Sequence, residues 1–292
     1  MKRILITGAN SYIGTSVEKY LGQWPEKYQV DTVDMLDGSW RQKSFAGYDT
    51  VFHVAGIAHS DTGKATEETK ALYYSVNRDL TIETAQKAKS DGAKQFIYMS
   101  SAIVYGNSAP IGKEKIITKE TKPEPANFYG DSKLQAENGI LPLSDDDFRI
   151  VILRPPMIYG KGSKGNYPML SKLAQKLPVF PYVENKRSML YIENLAEFVR
   201  LMMDNEECGI FWPQNGEYAV TSELVKFIAQ AHGKNIILVK GATSFLKLLG
   251  CITKLVNKAF GNLAYDMQIS DYKENYRKYT LKESVNLTEN KK

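Results

Sequence analysis

The feature of this sequence that most constrains its fold is a glycine turn that follows a short apolar run near the start of the chain. The run at 3–7 predicts a buried strand, and Gly8 gives the backbone the freedom that a tight turn needs. The spacing follows G-x-x-G-x-x-G, with Ser11 at the middle position and Gly14 allowing the next helix to pack on the strand. Amides at the start of that helix would face an anion such as a pyrophosphate. Ser11 either donates to a phosphate oxygen or crowds its approach. The candidate contacts are Gly8, Asn10, Ser11, Tyr12, Ile13 and Gly14.

An acidic residue follows the glycine turn at the distance that is typical of dinucleotide-binding sites. Asp34 ends the second apolar run, 20 residues after Gly14. A carboxylate at this distance accepts hydrogen bonds from the ribose hydroxyls of an adenosine. It also repels a 2′-phosphate, so the sequence predicts NAD in preference to NADP.

The order of apolar runs predicts a parallel sheet. Short buried runs alternate with helical patterns in the first half of the chain, which is typical of a doubly wound α/β fold of the Rossmann type. The predicted strands are 3–7, 29–34, 50–54, 95–99 and 149–153, and the predicted helices are 12–21, 70–90 and 129–139. After residue 160 the rhythm becomes irregular, with predicted helices at 167–176, 194–203 and 222–232 and a strand at 209–212. We therefore predict a dinucleotide-binding domain at 1–160 and a smaller, partly interleaved substrate-binding region at 161–292.

Composition narrows the possible partners. The formal net charge is +5, and lysines are interspersed with acids rather than massed, which argues against nucleic-acid binding. Cys208 and Cys251 are far apart, and no cysteine or histidine spacing predicts a metal site. The chain begins directly with a strand and has no apolar run of membrane-spanning length, so we expect a cytoplasmic location.

A tyrosine and a lysine fall on one face of the helix predicted at 129–139. Tyr129 and Lys133 are four residues apart, which places their Cβ atoms about 5–6 Å apart. An ammonium at that distance would favour the ionised phenol and lower the pKa of Tyr129 toward neutrality. Such a tyrosine can exchange a proton with an alcohol while a cofactor handles the hydride.

These motifs occur in a fixed order, at 7–14, 51–56, Asn77, 100–106, Tyr129 with Lys133, and 153–160. Together they resemble the extended short-chain dehydrogenase/reductases, specifically the NAD-dependent sugar epimerase/dehydratase family. The resemblance implies that Ser101 hydrogen-bonds the reacting sugar oxygen and that Tyr129 is the acid and base. It also implies that Lys133 holds the nicotinamide ribose.

Further roles follow from the same resemblance. Asn77 would organise the site behind the lysine, and Ala55 and Gly56 would let the cofactor pass at a strand end. Arg187 matches the arginine that grips the diphosphate of the substrate, as a guanidinium can in a bidentate fashion. Met157 stands where many C4 epimerases have an asparagine that touches the sugar.

Two apolar residues narrow the expected reaction. Sugar-nucleotide 4,6-dehydratases place Asp-Glu after the Ser or Thr, whereas this chain has Ala102, also a candidate substrate contact, and Ile103. Since neither can transfer a proton, we expect a C4 epimerase of a diphosphate-activated hexose or N-acetylhexosamine, with a UDP-sugar as first choice. A 4-keto sugar reductase, an epimerase of polyprenyl-diphosphate-linked sugars and a non-catalytic NAD sensor remain alternatives.

The C-terminal part of the sequence departs most from the family pattern. Apolar residues at helical spacing within 243–260 face lysines at positions 247, 254 and 258. This pattern favours packing within the protein or against a second subunit, with contact to a membrane as the alternative. The resemblance also implies a homodimer.

Overall fold

The structure, a computed structural model, describes residues 1–58, 65–241, 243–244, 246 and 254–290. The chain forms two interleaved units. The first comprises Met1–Gly106, Lys122–Pro155 and Leu195–Pro213, and the second comprises Asn107–Thr121, Pro156–Asn194 and Gln214–Lys292. The functional division predicted at residue 160 stays a prediction.

Within the described residues, the first unit is built on six parallel strands. They run in the spatial order β2-β1-β3-β4-β6-β10. Because β1 pairs with both β2 and β3, the order reverses between β1 and β3, and ligands of open α/β sheets bind at the carboxyl ends beside such a reversal. The strands are β1 (Lys2–Thr7), β2 (Tyr28–Val33), β3 (Thr50–His53), β4 (Gln95–Met99), β6 (Arg149–Leu153) and β10 (Gly209–Phe211).

Helices cover both faces of this sheet. Leu5, Phe96 and Ile150 share one buried cluster with alanines of α3 and α4. Ile4 and Ile6 alternate to the opposite face, where the Tyr20 hydroxyl of α1 donates to Glu197 of α6 at 3.1 Å. The helices are α1 (Tyr12–Leu21), α2 (Glu67–Tyr74), α3 (Leu80–Ser90), α4 (Phe128–Ile140) and α6 (Ile192–Asp204). The doubly wound parallel fold predicted from the sequence is confirmed.

The second unit consists of short strand pairs and helices. Three parallel pairs occur in its described residues, β5 with β12, β7 with β9 and β8 with β11. The strands are β5 (Ile116–Ile117), β7 (Met157–Tyr159), β8 (Val179–Pro181), β9 (Met189–Tyr191), β11 (Ile237–Val239) and β12 (Ala264–Tyr265). The helices are α5 (Asn166–Lys176), α7 (Thr221–Ala231), α8 (Lys254–Phe260) and α9 (Leu281–Glu289).

Most predicted elements are confirmed within two residues at each end, and two differ. The helix predicted at 70–90 consists of α2 and α3 joined by a π-helical turn, Ser75–Asp79. Of the predicted helix at 243–260, residues 245 and 247–253 lie outside the described residues, and α8 forms its last part. Among the described residues, no helix has both the length and the hydropathy needed to span a membrane.

Candidate active site

The turn after β1 requires glycine for two separate reasons. Gly8 has a φ of 93°, a conformation that side chains rarely adopt. A Cβ on Gly8 would also lie 2.9 Å from the amide nitrogen of Ala55, two residues after the end of β3. The two strand ends therefore approach each other so closely that only a bare backbone fits between them.

Replacing Gly8 with alanine tests this close approach. Gly92 is a matched control, because it has a φ of 85° and a Cβ added there would meet no atom within 4 Å. We expect Gly92→Ala to lower the free energy of unfolding by about 1–2 kcal/mol from backbone strain alone. Gly8→Ala should lower the free energy of unfolding by about 1–3 kcal/mol more than Gly92→Ala does. The reason is that the segments after β1 and β3 must also move apart to accommodate the new Cβ. Urea unfolding of both variants measures the difference, and equal losses would contradict the crowding argument.

The first turn of α1 begins directly after this glycine. Asn10 has a φ of 64°, and the Ser11 hydroxyl accepts a hydrogen bond from the Gly14 amide at 3.1 Å. Ser11 is therefore the residue that caps α1, which is the commonest task of a serine at this position. A Cβ on Gly14 would lie 3.2 Å from the Val54 side chain, so this glycine lets α1 pack against the segment after β3.

Asp34 lies directly after β2 and is exposed. One of its carboxylate oxygens accepts a hydrogen bond from the Leu36 amide at 2.9 Å, which fixes the carboxylate at the end of the strand. The other carboxylate oxygen accepts no hydrogen bond from the residues that the structure describes.

Asn77 clamps the loop after β3 to α4. The Ile57 amide donates to Asn77 Oδ1 at 2.9 Å, and Asn77 Nδ2 donates to the Ile57 carbonyl at 3.1 Å and to Ser132 Oγ at 3.3 Å. A Cβ on Gly56 would lie 3.0 Å from Asn77 Oδ1 and 3.2 Å from Lys133 Nζ. The structure thus brings the predicted residues Gly56, Asn77 and Lys133 together, and the π-helical turn is what presents Asn77 to the loop.

A second close approach brings Ser101 and Tyr129 together. Ser101 caps the 3₁₀ helix Ala102–Tyr105 and shares a side-chain hydrogen bond with Tyr129. Gly130 makes this possible, because a Cβ there would lie 2.7 Å from the Ile103 carbonyl oxygen. Ala102 is buried, and its amide donates to the Pro155 carbonyl at 2.9 Å.

The predicted lowering of the Tyr129 pKa is wrong in this structure. Burial raises the pKa of Tyr129 to about 12, and the hydrogen bond with Ser101 only partly opposes it. The reason is the direction of Lys133, whose Nζ donates to the Met99 carbonyl at 3.0 Å and lies 4.9 Å from the Tyr98 ring centroid. Burial lowers the pKa of Lys133 to about 8, although the nearby Glu137 carboxylate acts to raise it.

The buried ammonium of Lys133 has a measurable consequence. At pH 7 the lysine is charged in both states, and its burial costs up to about 3 kcal/mol, judged from the pKa shift. The cost falls as pH rises from about 8 toward 10.5, because the folded protein releases the proton first. We expect Lys133→Met to unfold at higher urea than the parent below pH 8 and to lose that advantage above it. Lys19→Met, at an exposed position of α1, should show no such dependence.

A buried ion pair between Arg154 and Glu137 links the elements that carry the site residues. The Arg154 guanidinium donates to both carboxylate oxygens of Glu137, at 2.5 Å and 3.1 Å for its shortest bond to each, and Ser100 also donates to Glu137. Arg154 further donates to the Tyr105 hydroxyl at 2.7 Å, as does the Trp212 indole. Through Arg154 the pair joins α4 to the end of β6, and through Ser100 it joins α4 to the end of β4, the strand that leads into Ser101.

A buried hydrogen-bond chain joins β1, β3 and α3. The His53 ring lies between Thr7 Oγ1, 2.7 Å from Nδ1, and Thr81 Oγ1, 3.1 Å from Nε2. Thr81 donates its own proton to the Asn77 carbonyl at 2.8 Å, so it must accept from His53. The ring is therefore the tautomer with its proton on Nε2, and burial keeps it neutral by lowering the pKa of His53 to about 3.

A cavity in the second unit contains the other predicted site residues. It encloses about 410 Å³, part of it open to solvent, and both Met157 and Arg187 line it. Burial lowers the pKa of Arg187, whose guanidinium donates to the Ala259 carbonyl at 3.3 Å. The wall is otherwise mostly aliphatic or thioether, formed by Met169, Leu170, Met189, Ala219, Leu224 and Ala259, with Asn166 and Thr221 as its other polar residues.

Sequence reasoning missed several of these residues. Glu137 and Arg154 pair across separate elements, so neither position alone indicates the contact. Gly130 is adjacent to Tyr129 in the sequence, and a glycine at that position can indicate a close approach of another segment. Asn166 follows a glycine-rich loop and begins α5, but its sequence context does not indicate a cavity.

The family follows from comparison with known proteins. The model of the NAD dependent epimerase/dehydratase family matches residues 4–211. A UDP-glucose 4-epimerase of Vibrio cholerae is 29% identical over 290 residues, covering 91% of this chain and 88% of the relative. An N-acetyl-α-D-glucosaminyl-diphospho-ditrans,octacis-undecaprenol 4-epimerase of Escherichia coli O157:H7 is 29% identical over 226 residues, covering 70% and 64%.

A solved structure agrees at the level of the fold. The UDP-glucuronic acid 4-epimerase of Bacillus cereus, in complex with NAD, superposes with a TM-score of 0.73 at 17% identity, covering 97% of this chain and 96% of that one. The chain belongs to the NAD dependent epimerase/dehydratase family and is an NAD-dependent enzyme of the extended short-chain dehydrogenase type.

Proposed function

We propose that this protein is an NAD-dependent C4 epimerase of a diphosphate-activated hexose or N-acetylhexosamine. The observation that carries the proposal is the hydrogen bond between Ser101 and Tyr129, formed beside Lys133 and the loop that Asn77 holds. An acid and base paired with a hydroxyl is the minimum that proton exchange with a sugar alcohol requires.

The residues at the strand ends fit the dinucleotide. The bare backbone of Gly8 and the capped start of α1 leave amides to face a pyrophosphate, and Asp34 accepts from ribose hydroxyls. The carboxylate of Asp34 repels a 2′-phosphate, which supports NAD rather than NADP. When bound, the nicotinamide supplies the acceptor and later the donor of the hydride at C4.

Tyr129 and Ser101 move and hold the proton at the sugar oxygen. Tyr129 takes the proton from the C4 hydroxyl when the sugar is oxidised, and it returns the proton when the 4-keto sugar is reduced from its other face. Ser101 hydrogen-bonds the same oxygen and keeps it within reach of the phenol. Because burial raises the pKa of Tyr129 to about 12, the resting phenol is protonated at neutral pH. Proton removal therefore needs a nearby positive charge, which we assign to Lys133 after its ammonium has turned from the Met99 carbonyl toward the phenol.

The same site argues against elimination of water. The two residues after Ser101 are Ala102 and Ile103, and neither has a group that transfers a proton. A dehydratase needs an acid and a base there to remove water across C5 and C6, so oxidation and reduction at one carbon remain.

Arg187 supports a diphosphate as the activating group. Its guanidinium lies in the wall of a cavity whose other residues are mostly apolar, where a cation attracts an anion strongly. A UDP-sugar is the first candidate, in keeping with the relative from Vibrio cholerae. The methionine- and leucine-rich wall supports a second candidate, a sugar on a polyprenyl diphosphate, which is the kind of substrate that the name of the Escherichia coli relative gives.

The test uses the purified protein without added cofactor. We expect acid or heat denaturation to release NAD, and the native protein to interconvert UDP-glucose with UDP-galactose or the corresponding N-acetylhexosamines. Retained NAD with turnover only of the lipid-linked sugar would select the second candidate. If turnover instead consumes reduced cofactor and requires a 4-keto sugar, the protein is a reductase and the epimerase proposal is wrong.

A further inference from the structure

The two-stranded sheet of the second unit leaves one of its faces apolar and exposed. Val179 of β8 pairs with Ile237 of β11, and Val239 lies two residues further along the same strand, on the same face. These side chains are 49%, 65% and 47% exposed. Together with Leu177, just before β8, they form what we call the β8–β11 face.

The opposite face of this sheet is part of the unit's core. Phe180 is buried, and its ring lies 5.6 Å from the ring of Phe260 in α8. Leu238 is half-buried. One face of the sheet is therefore packed into the core of the second unit. The aliphatic residues of the β8–β11 face lie on the other side and do not contribute to that packing. Clustered exposed aliphatic residues on a protein surface are typical of an interaction site.

Exposed lysines flank the strands of the β8–β11 face in the sequence. Lys176 ends α5 just before it, Lys234 precedes β11 and Lys240 follows it, and all three are exposed. The Lys234 ammonium donates to the Gln175 carbonyl at 2.5 Å, which holds this charge beside the end of α5.

The sequence around β11 has one sign of charge only. Between Glu223 and Asp266 the chain contains six lysines, at 226, 234, 240, 247, 254 and 258, and no aspartate or glutamate. The protein as a whole is nearly balanced, with 38 basic and 33 acidic residues. This segment is therefore an exception to the mixing of lysines with acids in the rest of the chain. Exposed aliphatic residues flanked by lysines complement a surface that is both anionic and apolar.

We propose that the β8–β11 face docks on the surface of an anionic lipid bilayer. Val179, Ile237 and Val239 would enter the boundary between headgroups and acyl chains, while Lys234 and Lys240 would pair with lipid phosphates. This inference goes beyond the proposed reaction and does not depend on it. The residues of the β8–β11 face lie outside the site formed by Ser101, Tyr129 and Lys133 and do not line the Arg187 cavity.

Vesicle co-sedimentation tests the docking. The protein with residues 1–292 should bind vesicles of equimolar phosphatidylcholine and phosphatidylglycerol, should not bind phosphatidylcholine alone, and should be released by high salt. Val179→Ser with Ile237→Ser should lower the partition coefficient at least about tenfold, since two buried aliphatic side chains are lost. Lys234→Glu with Lys240→Glu should do the same through charge.

Matched control variants distinguish binding through this face from non-specific binding of vesicles by other exposed residues. Leu287→Ser removes an aliphatic side chain that is 45% exposed on α9, and Lys282→Glu reverses an exposed charge on the same helix. Neither should change vesicle binding. Turnover of a soluble sugar substrate without vesicles should be the same in all variants, so loss of docking and failure of the proposed reaction are distinguishable.

Two results would overturn the proposal. One is the absence of binding to anionic vesicles by the parent protein. The other is a concentration-dependent dimer in sedimentation velocity that Val179→Ser with Ile237→Ser dissociates, because the face would then be covered by a second copy of the chain.

Discussion

Replacing Tyr129 with phenylalanine should lower turnover by at least about a hundredfold, the usual contribution of a positioned acid and base. The substitution removes only the hydroxyl that hydrogen-bonds with Ser101, and the ring can keep its contact with Tyr73 at 5.7 Å between centroids. NAD binding, measured by calorimetry or by release on denaturation, should remain near that of the parent. Steady-state kinetics with the preferred sugar gives the fold-change.

Tyr74 provides the control for this substitution. Its hydroxyl donates to Asp131 at 2.6 Å, so Tyr74→Phe also removes one hydrogen-bonded phenol beside α4. We expect this variant to keep most of the parent activity. A Tyr129→Phe enzyme that retained full turnover would refute the assignment of the acid and base, and would favour a role in NAD binding without chemistry.

The second large effect should come from Glu137→Ala. Glu137 is fully buried, and its removal leaves the Arg154 guanidinium in the interior without its carboxylate partner. Breaking a buried pair in this way costs about 3–5 kcal/mol of the free energy of unfolding, because the remaining charge is desolvated. Urea unfolding followed by tryptophan fluorescence measures the loss. Lys133 should also become less basic, since Glu137 acts to raise the pKa of Lys133.

An exposed ion pair that is also bidentate provides the comparison. Arg41 donates twice to Glu83 at 2.5 Å on the surface of the first unit, where solvent screens both charges. Glu83→Ala should therefore cost no more than about 1 kcal/mol. Combining Glu137→Ala with Arg154→Leu should recover part of the loss, since the buried charge is gone. If the single Glu137→Ala change cost as little as Glu83→Ala, the supporting role of the pair would be wrong.

The sequence predicted the first unit well because its signals are local. Strand-turn-helix spacing places Gly8, Gly14 and Asp34, and the alternation of apolar runs predicts the parallel sheet. The i, i+4 relation put Tyr129 and Lys133 on one helix, but it did not predict the direction of the lysine. That direction depends on the Met99 carbonyl and the Tyr98 ring, which reach Lys133 only through the fold.

Contacts between distant segments were not predictable in this way. The Glu137–Arg154 pair, the tautomer of His53 and the cavity around Arg187 each depend on several elements meeting. Helical periodicity predicted one continuous helix over 70–90 because a π-helical turn keeps the chain helical. Only the structure shows that the spacing changes at Asn77.

That π-helical turn makes the site sensitive to the number of residues in the chain, as well as to their identity. An α-helix rotates by about 100° per residue, so removing one residue from Ser75–Asp79 would let α2 and α3 merge into a regular helix. The merged helix would remain, and its apolar face would still pack against the sheet. Asn77, however, would point away from Ile57, and the loop beside Lys133 would lose the side chain that holds it. A single-residue deletion here would therefore be nearly silent for folding and severe for the chemistry.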